Sequence, residues 1–238
     1  MTLMPEETRV HVRRAIRFRK NIPQQGDALD FLATLSDGCS PLVFIDKQHR
    51  NIFDKLKYGN EGVKQKRRFL LPTMTDEYSD ACYHEIERVL QPGGYCMSWV
   101  DTYRLCEAYH LRVAHILKVV DLICWDNLRP GNGYRGRRQG DYLLVMQKAP
   151  IRAKATWRDH GISCRWPEKI DKKLYPHPHA KPIGLIKRLI GAVTLPGDLV
   201  IDPCAGGFVV MHAALSLKRE FIGVDIALKN GGRADADH

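Results

Sequence analysis

Leu199-Val200-Ile201-Asp202-Pro203-Cys204-Ala205-Gly206-Gly207 opens the stretch that decides the fold, and Phe221-Ile222-Gly223-Val224-Asp225 completes it. Short apolar runs bounded by turn residues read as buried strands. The first ends in an acid and a glycine turn, a helix follows, and the second strand also ends in an acid, so the unit is βαβ. Gly206 and Gly207 let backbone approach a ligand closely at the strand's carboxyl end, where open α/β sheets bind ligands. Asp225 stands where an acid can accept hydrogen bonds from a ribose. A tight turn with a capping acid is the plainer reading of these residues, and the pairing of the two acids favours a cofactor over it.

Phosphate-binding turns want G-x-G-x-x-G or a Gly-Lys-Ser/Thr ending, and neither is present. An acid at the first strand end repels phosphate and attracts an ammonium. A positively charged amino-acid nucleoside without pyrophosphate fits these demands, and S-adenosylmethionine is such a molecule.

Outward from this unit, Ile183, Leu185, Ile186, Leu189 and Ile190 have helical spacing and run through Pro196-Gly197-Asp198 into the first strand. Earlier in the chain, Ala28 to Leu35 reads as a helix that stops at Asp37-Gly38, and Leu42 to Ile45 as a buried strand ending at Asp46. Thr75-Asp76-Glu77 opens a helix to about Leu90, which Gln91-Pro92-Gly93-Gly94 ends before a strand from Tyr95 to Val100. A helix from Tyr103 to Leu117 comes next, with strands at Val119 to Trp125 and Tyr142 to Gln147 that can pair as a hairpin. The expected fold is α/β, a mostly parallel central sheet flanked by helices. Residues 1–25 read as a basic arm, 26–226 as one domain with an insertion at about 127–176, and 227–238 as a flexible tail.

Two motifs in this order resemble the amino-group DNA methyltransferases. DPCAGG at Asp202–Gly207 with Gly223-Val224-Asp225-Ile226 is similar to their D-P-F-A-G-S-G and G-I-D pattern. His177-Pro178-His179-Ala180-Lys181-Pro182 is similar to their H-P-x-x-K-P. Gly26-Asp27-Ala28-Leu29 resembles the G-D-x-L that opens the circularly permuted members, in which the catalytic half comes first. The resemblance spans nearly residues 24 to 226. It implies a Rossmann-like S-adenosylmethionine-dependent fold with Asp27, Asp46, His179, Lys181, Asp202, Cys204, Ala205, Gly206 and Asp225 against the cofactor.

The resemblance also implies a catalytic tetrapeptide, D-P-P-Y in the family, where this chain has Asp46-Lys47-Gln48-His49. In that mechanism the target base is flipped out of the duplex and stacks on the aromatic residue. Its exocyclic amine is presented to the Asp side chain and a backbone carbonyl. Asp46 and the Lys47 carbonyl can still serve, but Lys47 loosens the loop and brings a cation near a cationic cofactor. His49 offers a smaller face than tyrosine, where stacking is worth roughly 1–3 kcal/mol per base. An Asp at the head favours adenine N6 over cytosine N4. A degenerate protein that binds without catalysis, a cytosine-N4 enzyme and an RNA methyltransferase stand as alternatives, and a strand-ending cap is the plain reading of Asp46.

The 238 residues carry a formal charge of +10, with Lys and Arg concentrated at 9–20, 47–68, 129–138 and 152–173. That balance suits a polyanion, here double-stranded DNA. Arg50, Lys55, Lys57, Lys64, Lys66, Arg67 and Arg68 flank glycine hinges at Gly59 and Gly62 and can close on a DNA backbone. Arg135, Arg137 and Arg138 at a hairpin tip can enter a groove, although solvated surface is the plainer reading of each cluster. Trp157 and Trp166 read as packing residues of the insertion. Seven cysteines without a C-x-x-C pair point to reduced thiols in the cytoplasm, and no apolar run reaches the roughly 18 residues of a membrane span. The histidines show no zinc-site spacing, so no metal is expected. A homodimer is allowed, dimers being common in the resembled family.

Overall fold

The computed structural model describes residues 18–47, 74–131, 136–137, 139–177 and 179–228. The elements run α1 (Ala28–Ala33), β1 (Ser40–Ile45), α2 (Asp76–Val89), β2 (Leu90–Val100), α3 (Thr102–Cys106), α4 (Tyr109–Val113), β3 (Lys118–Asp126) and β4 (Gly140–Gln147). They continue with β5 (Arg165–Pro167), α5 (Ile183–Val193), β6 (Leu199–Asp202), α6 (Val209–Ser216) and β7 (Glu220–Gly223). Among the described residues the strands form one sheet in the order β5-β3-β4-β2-β1-β6-β7. β4 is antiparallel to β2 and β3, and every other neighbour pair is parallel. The mostly parallel α/β sheet expected from the sequence is therefore present, and β3 with β4 forms the expected antiparallel pair.

Strand side chains alternate faces, and the alternation divides the core in two. Leu42, Phe44, Met97, Trp99 and Val200 pack under α5 and α6. Val43, Ile45, Cys96 and Ile201 pack under α1 and α2, against Phe31, Tyr83 and Ile86. α2 starts where its cap lies: the Thr75 side chain accepts from Tyr78 N, and Asp76 and Glu77 follow in the first turn, where acids complement the helix dipole.

The single helix expected from Tyr103 to Leu117 is broken into α3 and α4, because Ala108 takes a left-handed conformation at φ 54°. Residues 150–176 are largely irregular as expected, but β5 emerges from them to pair with β3, Trp125 opposite Trp166. Trp157 and Trp166 pack against the core, as expected. Of the segment read as a basic arm, residues 18–25 lie along β7: Asn21 N donates to Phe221 O at 2.8 Å, Asp225 N to Gln24 O at 3.0 Å, and Phe18 meets Phe31 edge to face. All seven cysteines are free thiols. No helix among the described residues is long and apolar enough to cross a membrane.

Candidate active site

β1 and β6 are adjacent and parallel, so their carboxyl ends bring Asp46 and Asp202 to the same edge of the sheet. A cleft opens there between Phe44, Asp46 and Trp99 on one side and the 204–207 turn with Val209 and Val210 on the other, closed by His177, His179, Ala180 and Lys181. Period-two alternation explains the placement of Asp46: it follows Phe44 on the α5/α6 face of the sheet.

Asp202 is buried, 3% exposed, and its Oδ1 accepts from Cys204 N at 3.1 Å. Burial pushes its carboxyl pKa well above the usual range, and the charges of Asp46 and Asp225 push the same way. Among the described residues no cation pairs with Asp202. The Gly206-Gly207 turn packs on His177: a Cβ at Gly207 would stand 2.6 Å from the His177 Cβ. Burial lowers the His177 pKa against the pull of Asp225 and Asp46. A buried acid without a cation beside a side-chain-free turn fits a cationic nucleoside.

Lys181 supplies the positive charge at the other end of the cleft. Its Nζ lies 3.2 Å from Asp46 Oδ2 and 3.3 Å from Asp141 Oδ2, and 5.1 Å from the centre of the Trp99 ring. Burial opposes the lysine's charge, the two carboxylates outweigh it, and the pKa rises.

With this geometry in view, the comparisons are specific. Residues 56–230 match the DNA methylase family N6_N4_Mtase. Over 203 residues the chain is 43% identical to the type II methyltransferase M.HhaII of Haemophilus parahaemolyticus, covering 84% of this chain and 88% of that protein. The chain belongs to the DNA methylase family. A shorter stretch of 50 residues, 21% of this methylase and 17% of its relative, is 48% identical to the DNA adenine methyltransferase YhdJ of Escherichia coli K12. The fold is shared with the Thermus thermophilus protein TTHA0409 complexed with S-adenosyl-L-methionine, at TM-score 0.58 and 20% identity over 86% of this chain and 87% of that one. It is shared also with the cytosine-N4-specific PvuII DNA methyltransferase, at TM-score 0.62 and 16% identity over 89% and 87%.

Of the site residues expected in this methylase, the cleft brings together Asp46, His179, Lys181, Asp202, Cys204, Ala205 and Gly206. Asp225 stands behind the turn, its Oδ2 accepting from Gly206 N at 2.9 Å and its Oδ1 from Ala227 N at 2.8 Å. Asp27 does not line the cleft. Its Oδ1 caps α1 by accepting from Leu29 N and Asp30 N, and Tyr78 Oη donates to the same carboxylate at 2.7 Å.

The expectation that Lys47 brings a cation toward the cofactor is corrected by the structure. Lys47 follows Asp46 and therefore points to the opposite face of the sheet, where it is 4% exposed and hydrogen-bonded to Ser79 Oγ. Gln48, His49, Arg50, Lys55, Lys57, Lys64, Lys66, Arg67, Arg68, Arg135 and Arg138 lie outside the described residues, while Arg137 is exposed.

Trp99, Asp141 and Glu168 are among the residues at the site that the sequence does not single out. Asp141 and Trp99 flank Lys181. Glu168 ties the 150–176 segment to α5: its carboxylate accepts from Gly184 N at 2.8 Å and Leu185 N at 3.0 Å, and from the Trp166 indole at 2.7 Å. Pro182 at the start of α5 has no side-chain cap to offer, and that absence is the one local signal that an acid must come from elsewhere.

Proposed function

We propose that this methylase acts in the cytoplasm on double-stranded DNA and methylates N6 of a flipped adenine with S-adenosylmethionine. The observation that carries the reading is the adjacency of Asp46 and Asp202 on neighbouring strands, which sets an acceptor for an amine beside an acidic pocket for a sulfonium compound. The bound cofactor supplies a methyl group on positively charged sulfur. Asp46 accepts an N–H of the exocyclic amine, which turns the nitrogen lone pair toward the cleft, and its carboxylate stabilises positive charge as it develops on nitrogen. Asp202 and the Gly206-Gly207 turn hold the cofactor, with Asp225 fixing that turn from behind. Arg50, Lys55, Lys57, Lys64, Lys66, Arg67 and Arg68, with Arg135, Arg137 and Arg138, contact the DNA, and the segment at about 127–176 reads the target.

The choice of adenine rests on the acid that heads Asp46-Lys47-Gln48-His49. Transfer of labelled methyl to unmethylated duplex DNA, followed by nucleoside analysis, tests it. N6-methyladenine is the expected product. N4-methylcytosine overturns the base assignment, preferential labelling of competitor RNA overturns the substrate, and cofactor binding without transfer leaves a protein that has kept the fold and lost the chemistry. Light scattering on the same preparation tests the homodimer.

A further inference from the structure

Lys47 occupies an unusual place for a lysine. Its ammonium lies 3.9 Å from the centre of the Tyr109 ring and 4.9 Å from that of Tyr83, with Ser79 Oγ as its hydrogen-bond partner. The Tyr109 hydroxyl is 3.0 Å from Ser79 Oγ, and the Tyr83 hydroxyl is 2.6 Å from Ser98 Oγ. Lys47 thereby links the end of β1 to α2 and α4, and Tyr83 carries the contact on to β2. Arg104 of α3 also lies against Tyr109, its guanidinium 5.4 Å from the ring centre and bonded to Asp76 of α2 at 2.8 Å. Desolvating an ammonium is costly, and a hydrogen bond and two aromatic faces offset part of that cost here.

The Lys47 side chain touches nothing in the cleft, yet it leaves the backbone one residue after Asp46. We propose that the buried Lys47 side chain is a positioning residue: its clamp against Ser79, Tyr83 and Tyr109 fixes the backbone beside Asp46, so that the carboxylate and the Lys47 carbonyl face the amine together. The clamp supplies the rigidity that proline supplies in D-P-P-Y, where φ is locked by the ring. This inference rests on the methyl-transfer reading above, and it explains how an active enzyme can depart from that tetrapeptide at its second position.

The test compares wild type with Lys47→Ala, Lys47→Pro and Ser79→Ala, measuring kcat and KM on duplex DNA and the cofactor Kd by calorimetry. Misplacing reacting groups slightly costs up to about a hundredfold, so Lys47→Ala is expected to lose at least about tenfold in kcat while KM and Kd stay within about twofold. Lys47→Pro is expected to recover most of that loss, and Ser79→Ala, which loosens the clamp from α2, to fall between wild type and Lys47→Ala. If Lys47→Ala does not fold, Ser79→Ala carries the same kcat-against-KM readout. Wild-type kcat in the loosened variants overturns the inference and leaves the function standing, as does loss of kcat and cofactor binding together without recovery by proline. A wild type that transfers no methyl overturns both.

Discussion

Lys181 Nζ lies 3.2 Å from Asp46 Oδ2, so the carboxylate that faces the cleft is held by a largely shielded cation from the segment just before α5. The same ammonium reaches Asp141 at the head of β4. One ammonium thus bridges two partly exposed carboxylates and offsets part of their mutual repulsion.

Lys181→Met removes the ammonium that Asp46 and Asp141 share. Breaking a buried pair from one side costs several kcal/mol, and because Asp46 is 31% exposed a loss of about 2 kcal/mol is expected. The raised pKa of Lys181 means its contribution is fully present at neutral pH and is lost only as pH rises through the folded value, above that of a free lysine. Urea denaturation at pH 7.5 and single-turnover methyl transfer check the change. We expect kcat to fall at least about tenfold, because the Asp46 carboxylate loses its fixed orientation; unchanged stability with unchanged kcat removes Lys181 from the site's machinery.

Lys47 gives a pH signature of opposite sign. Burial, aided by the charge of Arg104, lowers its pKa to about 7, against the pull of Asp76 and Asp80. The folded protein releases this proton near pH 7 while the unfolded chain keeps it to about 10.4, so between those values the unfolded state binds more protons and stability from this group rises with pH. Below pH 7 both states are protonated and the slope vanishes. Burial of the Cys82 and Cys96 thiols raises their pKa values and tilts stability the other way at alkaline pH, so the difference between wild type and Lys47→Met isolates the lysine. Denaturant titrations at pH 7, 8 and 9 should show wild type gaining up to about 1.4 kcal/mol per unit relative to Lys47→Met; parallel curves for the two proteins count against a buried, easily deprotonated amine.

The C-terminal βαβ unit was legible because its signals are local: buried apolar runs, a glycine turn and an acid at each strand end. So was the meeting of Asp46 with Asp202, once the resemblance named both. The direction of Lys47 is also written in the sequence, since Phe44 and Asp46 share one period-two face and Ile45 and Lys47 the other. Ala108 breaks the α3/α4 region without a glycine or proline to announce it. Asp141 and Glu168 owe their roles to Lys181 and to the N-terminus of α5, contacts made only when the chain has folded back on itself, and no spacing encodes them.

Gly207→Ala tests the turn itself. Its Cβ would stand 2.6 Å from the His177 Cβ, closer than non-bonded carbons approach, so either the turn or the His177 segment must shift. The displacement falls in the cleft, so cofactor affinity should drop at least about tenfold, beside a loss of stability of about 1–3 kcal/mol from the overpacked contact. Calorimetric titration with S-adenosylmethionine beside a melting curve separates the two. Wild-type affinity in Gly207→Ala means that the cofactor does not rest on this turn.

Glu168→Ala tests whether the 150–176 segment is structurally bound to the active site. Glu168 acts as the missing cap of α5, taking the amides of Gly184 and Leu185, and its backbone oxygen accepts from the Trp125 indole at 2.8 Å. Loss of an N-terminal cap costs about 1–2 kcal/mol, and the Trp166 indole loses its acceptor as well, so we expect a destabilisation near about 2 kcal/mol by urea denaturation. α5 begins two residues after Lys181, so a frayed first turn also loosens the lysine that holds Asp46. The expected consequence is a lower kcat in Glu168→Ala even under conditions where the protein is fully folded, with Glu168→Gln, which keeps one acceptor oxygen, between the two. A variant that is destabilised but transfers methyl at the wild-type rate shows instead that the cap serves the helix alone and that Lys181 is held by Asp46, Asp141 and Trp99 without help from the helix that follows it.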